Sequence, residues 1–214
     1  MKIAVTGATG TLGKAIMLRL SEAGYSVIGI GRNQAKITAM QNQNFVMKRC
    51  DIGNLAELTT ALTNCNVIIH CAAYAAPFGS KKRFFQTNVE GTKNVYKAGQ
   101  QNSVSRIVMI SSASIFDRMT HDKPHTDATP ELKYRPKHHY GASKYDAELF
   151  CLSQPKHLWI GLRPRAVFGA GDQTLLPRLK RLIGKNNYRT IGEGKGLIDV
   201  TSLSNFVDAV CLAL

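Results

Sequence analysis

Short, almost unbroken apolar runs recur along the chain, and longer stretches of mixed polarity separate them. The runs Ile3 to Thr6, Ser26 to Ile30, Phe45 to Met47, Val67 to His70, Arg106 to Ser111 and Leu158 to Leu162 predict strands. Polar and apolar residues do not alternate in them, so both faces of each strand are expected to be covered, as in a parallel sheet between helices. The intervening stretches Leu12 to Ala23, Leu55 to Leu62, Asn88 to Gln101 and Tyr140 to Leu152 predict helices. Strand and helix alternating at this length is the pattern of an α/β chain with a doubly wound parallel sheet. Beyond about Arg165 the alternation weakens, and Gly169, Gly171, Gly184, Gly192, Gly194 and Gly196 crowd the chain. Residues 1–165 are therefore read as one domain and 166–214 as the start of a small, incomplete C-terminal lobe. The last apolar run, Leu203 to Leu214, predicts a helix that returns to the core.

A length of 214 residues with a hydrophobic share of 44% supports a sizeable core and excludes a disordered or collagen-like chain. Cys50, Cys65, Cys71, Cys151 and Cys211 form no CxxC pair and no zinc-like spacing with histidine, so buried free thiols in a reducing compartment are expected. No apolar stretch approaches the roughly 18 residues of a membrane span, and the start MKIAVTGATG lacks a cleavable-signal pattern. Together these predict a cytoplasmic protein. The 28 Lys and Arg exceed the 14 Asp and Glu by 14, which raises the question of nucleic acid or anionic lipid. The basic residues are dispersed, however. Their densest runs, Lys81-Lys82-Arg83, Arg135 to His139 and Arg178 to Lys185, do not interleave with aromatics, and a solvated basic surface is the reading adopted.

The strand Ile3 to Thr6 runs directly into Gly7-Ala8-Thr9-Gly10-Thr11-Leu12-Gly13 and then into a helix. Glycines at this place let the backbone turn sharply, approach a pyrophosphate without a Cβ in the way, and seat the helix on the strand. The first amides of the helix then face the phosphates. Gly7, Thr9, Gly10, Thr11, Leu12 and Gly13 are therefore candidate dinucleotide-binding residues, although the G-x-x-G-x-x-G spacing differs from the general G-x-G-x-x-G fingerprint. At the end of the second strand stands Gly31-Arg32-Asn33, with no carboxylate for ribose hydroxyls. Arg32 fits the 2′-phosphate of NADP, the favoured cofactor; in the competing reading it stacks on adenine while NAD binds. Asp51 and Ile52, after the third strand, are placed at the adenine amino group and ring. Asp51 could equally be the N-cap of the next helix.

Tyr140-Gly141-Ala142-Ser143-Lys144 puts Tyr140 and Lys144 four apart at a helix start, hence on one face. A nearby ammonium is expected to lower the phenol toward working pH, so that it serves as acid or base. Ser111-Ser112 closes the fifth predicted strand, and functional groups gather at such carboxyl ends in doubly wound sheets. A lone YxxxK is common by chance. Joined to the glycine turn and the strand-end serine, it points to a site.

The motifs TGATGTLG at 6 to 13, CDI at 50 to 52, HCAA at 70 to 73, TNVEGTKNV at 87 to 95, SSASIF at 111 to 116, YGASK at 140 to 144, LRPRAVFGAGD at 162 to 172 and IGEGKGLIDVTSLSNFVDA at 191 to 209 occur in this order. In them the chain resembles the extended group of the short-chain dehydrogenase/reductase superfamily, which holds nucleotide-sugar epimerases, dehydratases and 3β-hydroxysteroid dehydrogenases, and it is most similar to the last branch. The resemblance implies a Rossmann domain over 1–165 followed by a substrate-binding lobe. It implies that Ser112, Tyr140 and Lys144 are catalytic, Tyr140 as proton donor or acceptor, Lys144 also on the nicotinamide ribose, and Ser112 on the reacting oxygen. It further implies that Cys71, Ala72 and Ala73 line the cofactor groove, that Asn88 steadies the site, and that Arg163-Pro164 through Val167 close around the nicotinamide. A homodimer and reversible hydride transfer on a carbonyl or alcohol substrate follow from the same resemblance, with nucleotide-sugar epimerisation as the alternative. A dinucleotide-binding regulator or RNA-binding relative is the reading from another class, and the intact Ser112, Tyr140 and Lys144 argue against it. Phe116 stands where relatives often have Tyr, Asp117 where they often have Gly, Ala170 where they often have Pro, and Ser202 where an aromatic or His is usual.

Other groups are given plainer roles. His121, His125, His138 and His139, with Asp117, Asp122 and Asp127, are read as part of a polar covering loop and no metal is expected. His70 is expected to support the groove. Asp146 and Glu148 are read as a solvated helix face.

Overall fold

The computed structural model describes residues 1–116, 135–155, 158–172, 175–184, 193 and 199–214. Six strands, β1 (Lys2–Thr6), β2 (Ser26–Gly31), β3 (Met47–Arg49), β4 (Val67–His70), β5 (Arg106–Ile110) and β6 (Trp159–Leu162), form one sheet in the order β3-β2-β1-β4-β5-β6. Every pairing is parallel. This is the doubly wound order, whose direction of winding reverses between β1 and β4.

Eight helices accompany the strands among the described residues: α1 (Thr11–Glu22), α2 (Gln34–Gln41), α3 (Leu55–Ala61), α4 (Lys81–Phe85), α5 (Gly91–Gln101), α6 (His139–Leu152), α7 (Leu175–Gly184) and α8 (Leu203–Leu212). A π-helical turn over Gln86–Glu90 joins α4 to α5, and a 3₁₀ turn over Ala113–Phe116 follows β5. Two short strands, β7 (Val167–Phe168) and β8 (Thr201–Ser202), make a separate parallel pair.

Side-chain alternation along β1 divides the core. Ile3 and Val5 point into a cluster with Ile16, Met17 and Leu20 of α1, Ile37 and Met40 of α2, and Phe206, Val207 and Val210 of α8. Ala4 points into the opposite cluster with Leu58 of α3 and Val95 and Tyr96 of α5. The predicted helix layers on both faces are thus present, and α8 lies in the core beside α1. Helix α1 is seated unusually closely on the turn before it. A Cβ on Gly13 would lie 2.5 Å from the Gly7 carbonyl oxygen and 2.8 Å from Ala8 Cα.

Several boundaries differ from the predicted ones for identifiable reasons. Strand β3 starts at Met47, not Phe45, because Asn44 takes φ 64° and Phe45 N–H closes back on the Met40 carbonyl. As an edge strand it tolerates Lys48 and Arg49. Helix α2 is absent from the predicted set because it buries only Ile37 and Met40 in an otherwise polar sequence. Helix α7 lies in the stretch expected to be irregular. Cys71 and Cys211 are half-buried, whereas Cys50, Cys65 and Cys151 are buried, and all five are free. The proposed covering loop with His121, His125, Asp117, Asp122 and Asp127 lies outside the described residues, as do Gly192, Gly194 and Gly196. Among the described residues no helix is long and apolar enough to cross a membrane.

The Gly13 contact is backbone on backbone and cannot be relieved by a rotamer change. Gly13→Ala is expected to destabilise the fold by about 1–3 kcal/mol, the usual cost of overpacking. Chemical denaturation checks this, and an unchanged midpoint would show that α1 is free to shift.

Candidate active site

Two cavities meet at the carboxyl ends of β1 and β4. One, of about 290 Å³, is lined by Gly7, Thr9, Gly10, Gly31, Arg32, Asn33, Lys36, Cys50, Ile52, Cys71, Ala72, Ala73 and Thr87 among others. The second, of about 440 Å³, carries Gly7, Gly10, Thr11, Leu12, Gly13, Cys71, Ala73, Ser111, Tyr140, Lys144, Val167 and Asp172 in its lining. Gly7, Gly10, Cys71 and Ala73 belong to both, so the two form one groove from the end of β2 to Tyr140.

The glycine turn is shaped by necessity. Gly7 has φ +69°, and a Cβ there would lie 2.7 Å from Ala72 N and Cα. Gly10 occupies the N-cap position of α1 with no side-chain cap, leaving the helix amides for whatever the groove holds. A backbone cradle that a Cβ would fill, ending at an uncapped helix, fits a pyrophosphate. Thr11 Oγ1 donates to the Gly171 carbonyl at 2.9 Å, which brings the segment after β7 across the groove.

At the β2 end, Arg32 pairs with Asp51 at 3.3 Å, both half-exposed. Asp51 also accepts the Gly53 N–H at 2.8 Å. It is not the N-cap of α3; the Asn54 side chain caps that helix by accepting from Glu57 N–H. Lys36 is a lining residue that no motif marks. It lies four positions after Arg32, a spacing that could have placed it at the same mouth once α2 is known.

At the other end, burial raises the Tyr140 phenol above its ordinary value, and a side-chain hydrogen bond with Ser112 lowers it. Lys144, expected to lower the phenol, is not among the groups that shift it. The Lys144 ammonium points under β5 and donates to the Ile110 carbonyl at 2.7 Å. Burial pushes Lys144 down to about 8, partly opposed by Cys71, Glu148 and Cys151. Helix α6 approaches the 3₁₀ turn closely, since a Cβ on Gly141 would lie 2.7 Å from the Ser114 carbonyl oxygen. That approach is what brings Tyr140 to Ser112.

Asn88 is 1% exposed beneath the groove rather than in its lining. It donates to Ser143 Oγ at 2.9 Å. Pro164 is also outside the lining; its carbonyl accepts the Ala113 N–H at 3.1 Å beside Ser112. Glu148 is fully buried, not solvated, and accepts from Ser111 Oγ and from Arg163, whose Nε lies 2.7 Å away. Asp146 is also engaged, accepting from Arg135 Nε at 2.7 Å and Nη2 at 3.0 Å. Arg163 is therefore tied to Glu148. The i, i+4, i+8 spacing of Tyr140, Lys144 and Glu148 was the available signal that all three share a buried face.

The sequence matches the family described as the NAD dependent epimerase/dehydratase family over residues 3–214. It is 31% identical to the 2-alkyl-3-oxoalkanoate reductase of Stenotrophomonas maltophilia, over all of this chain and 65% of that protein. It is 29% identical to the decarboxylating sterol-4-alpha-carboxylate 3-dehydrogenase of Mus musculus, over 99% of this chain and 59% of that one. The chain thus spans less than two thirds of either relative's length. The UDP-glucuronic acid 4-epimerase from Bacillus cereus, solved in complex with NAD, shares the fold with a TM-score of 0.77 and 24% identity, over 100% of this chain and 73% of that one.

Lys144 gives the site a measurable pH signature. Its value falls from 10.5 unfolded to about 8 folded, so between these the unfolded chain binds more protons and stability rises with pH. The rise is on the order of 3 kcal/mol. Buried Cys50, pushed up to about 11, and Cys151, pushed up to about 12, act in the opposite sense above about pH 9. Comparison with Lys144→Met cancels most of their effect. Urea denaturation from pH 7 to 10.5 should show wild type gaining on the variant across this window; parallel curves would refute the buried ammonium.

Proposed function

Because the chain belongs to the NAD dependent epimerase/dehydratase family, we propose that it is a nicotinamide-dependent oxidoreductase acting on a carbonyl or secondary-alcohol substrate. One observation carries this reading: the groove that holds the glycine turn ends at Tyr140 and Lys144, with Ser112 bonded to the phenol. The nicotinamide dinucleotide supplies the hydride donor or acceptor when bound. Gly7, Gly10 and the first amides of α1 would hold its pyrophosphate. Ser112 and Tyr140 would hydrogen-bond the substrate oxygen, and Tyr140 Oη would give or take its proton. Lys144, which lines the same cavity, would bind the nicotinamide ribose hydroxyls while its bond to the Ile110 carbonyl holds it in place. Residues 166–214 would contribute to the substrate lobe, with α8 returning to the core.

NADP is the cofactor favoured at the β2 end, because Arg32 and Lys36 both line that cavity. A 2′-phosphate would compete with Asp51 for Arg32. The names of the two relatives, an oxoalkanoate reductase and a sterol carboxylate dehydrogenase, make 3-oxo carboxylates the first substrates to test. Net NAD(P)H consumption distinguishes this chemistry from epimerisation, in which the cofactor returns to its starting state. A homodimer would have Leu149 and Leu152 of α6, both exposed, available for its contact.

Tyr140→Phe should lower kcat roughly 10²–10⁴-fold, the span of general acid–base catalysis, while changing dinucleotide affinity little. Turnover at the wild-type rate would remove Tyr140 from this role. In a fluorescence titration, NADPH should bind more tightly than NADH. Arg32→Ala combined with Lys36→Ala should weaken NADPH by roughly 10- to 100-fold, as loss of charged hydrogen bonds does, and leave NADH nearly unchanged. Equal affinities in the wild-type chain would sink the NADP assignment.

A further inference from the structure

His70, at the carboxyl end of β4, is 2% exposed and has no part in the proton transfer above. Both of its ring nitrogens meet hydroxyls, and the surrounding bonds fix where its proton sits. Thr92 Oγ1 lies 2.6 Å from the Asn88 carbonyl oxygen, which can only accept, so Thr92 donates there. With its one proton committed, Thr92 Oγ1 accepts from His70 Nε2 at 3.0 Å, which puts a proton on Nε2. Burial, aided by the Lys144 ammonium, pushes His70 down to about 3, so the ring is neutral and Nδ1 is an acceptor. Thr6 Oγ1 then donates to Nδ1 at 2.7 Å and itself accepts the Ala72 N–H at 3.3 Å.

The bonds continue beyond Thr92. Asn88 Oδ1 accepts the Tyr74 N–H at 2.7 Å, and Asn88 Nδ2 donates to Ser143 Oγ at 2.9 Å. Ser143 Oγ donates to the Tyr140 carbonyl at 2.7 Å. A line of buried and part-buried hydrogen bonds, joined through the Asn88 residue itself, therefore runs from the Cys71–Ala73 wall of the groove to the first turn of α6, and His70 is the residue in it that spans from β1 to α5. We infer that His70, with its proton on Nε2, is a positioning residue that holds this wall in register with the helix carrying Tyr140. The π turn that presents Asn88 belongs to a class of distortion frequent at functional sites.

The inference rests on the proposed function only in the use of NADH as a probe. On the wild-type chain, ¹⁵N-histidine NMR should show one ring that stays neutral near pH 6, with its proton on Nε2. A proton on Nδ1, or a charged ring, would overturn the assignment. His70→Phe removes both bonds, whereas Thr92→Val cuts the same line at nearly constant volume and serves where the first variant does not fold. In either variant, hydrogen exchange should accelerate at least tenfold both in residues 71–74 and in residues 140–143, and the Kd for NADH should rise at least tenfold. His70→Gln, which can still donate to Thr92, should recover part of both effects. Acceleration confined to 71–74, or unchanged exchange in both segments, would refute the positioning role. If wild type binds neither NADH nor NADPH, the proposed function falls while the exchange and tautomer results still decide the role of His70.

Discussion

The groove depends on one close backbone approach at the point where the sheet changes its direction of winding. After Thr6 and His70, neighbouring strands part, and the chain following β1 must pass almost in contact with the chain following β4. Gly7, at φ +69° with Ala72 at the distance a Cβ would forbid, makes that passage possible. Thr6 secures it from the strand side, its carbonyl accepting from Cys71 N–H and its hydroxyl from Ala72 N–H. Both cavities open from this junction. A side chain at Gly7 would separate the strands where the two halves of the groove join.

Burial then requires that every polar group under the junction be satisfied, and the sequence meets this with small hydroxyl and amide side chains rather than charges. Thr6, Thr92, Asn88 and Ser143 are all buried, and each has a partner. Such a network has one arrangement of donors and acceptors that closes, and a network of that kind specifies geometry more sharply than apolar packing alone. The 3₁₀ turn after β5 and the start of α6 are held by the same rule, with Ser112 accepting the Ser114 N–H and His138 accepting the Gly141 N–H.

Much of this was legible in the sequence, and what was not has physical causes. The β1 turn, the strands buried on both faces and the shared helix face of Tyr140 and Lys144 are written in local spacing. Helix α2 was not, because two buried side chains leave almost no periodic signal. Glu148 was misread as solvated because a carboxylate on a helix is usually exposed; its partner Arg163 lies fifteen residues away, at the end of β6. The direction of the Lys144 ammonium was equally out of reach, since the Ile110 carbonyl that receives it belongs to a strand more than thirty residues earlier. Contacts of this kind are made by topology, not by neighbouring residues.

Tyr140, Lys144 and Glu148 share one face of α6, yet their charges are compensated very differently. Glu148 has the cation of Arg163 and the hydroxyl of Ser111, enough to offset the cost of burying a carboxylate. Lys144 has a neutral carbonyl and, among the described residues, no carboxylate in bonding contact, so much of its burial cost is left standing and appears as the fall to about 8. The arrangement present neutralises the carboxylate through Arg163 and leaves the ammonium beside the groove with the cost of its burial only partly offset. The partly compensated charge and Tyr140 line one cavity together with part of the glycine turn, and the proposed function rests on this coincidence of electrostatic cost with groove geometry.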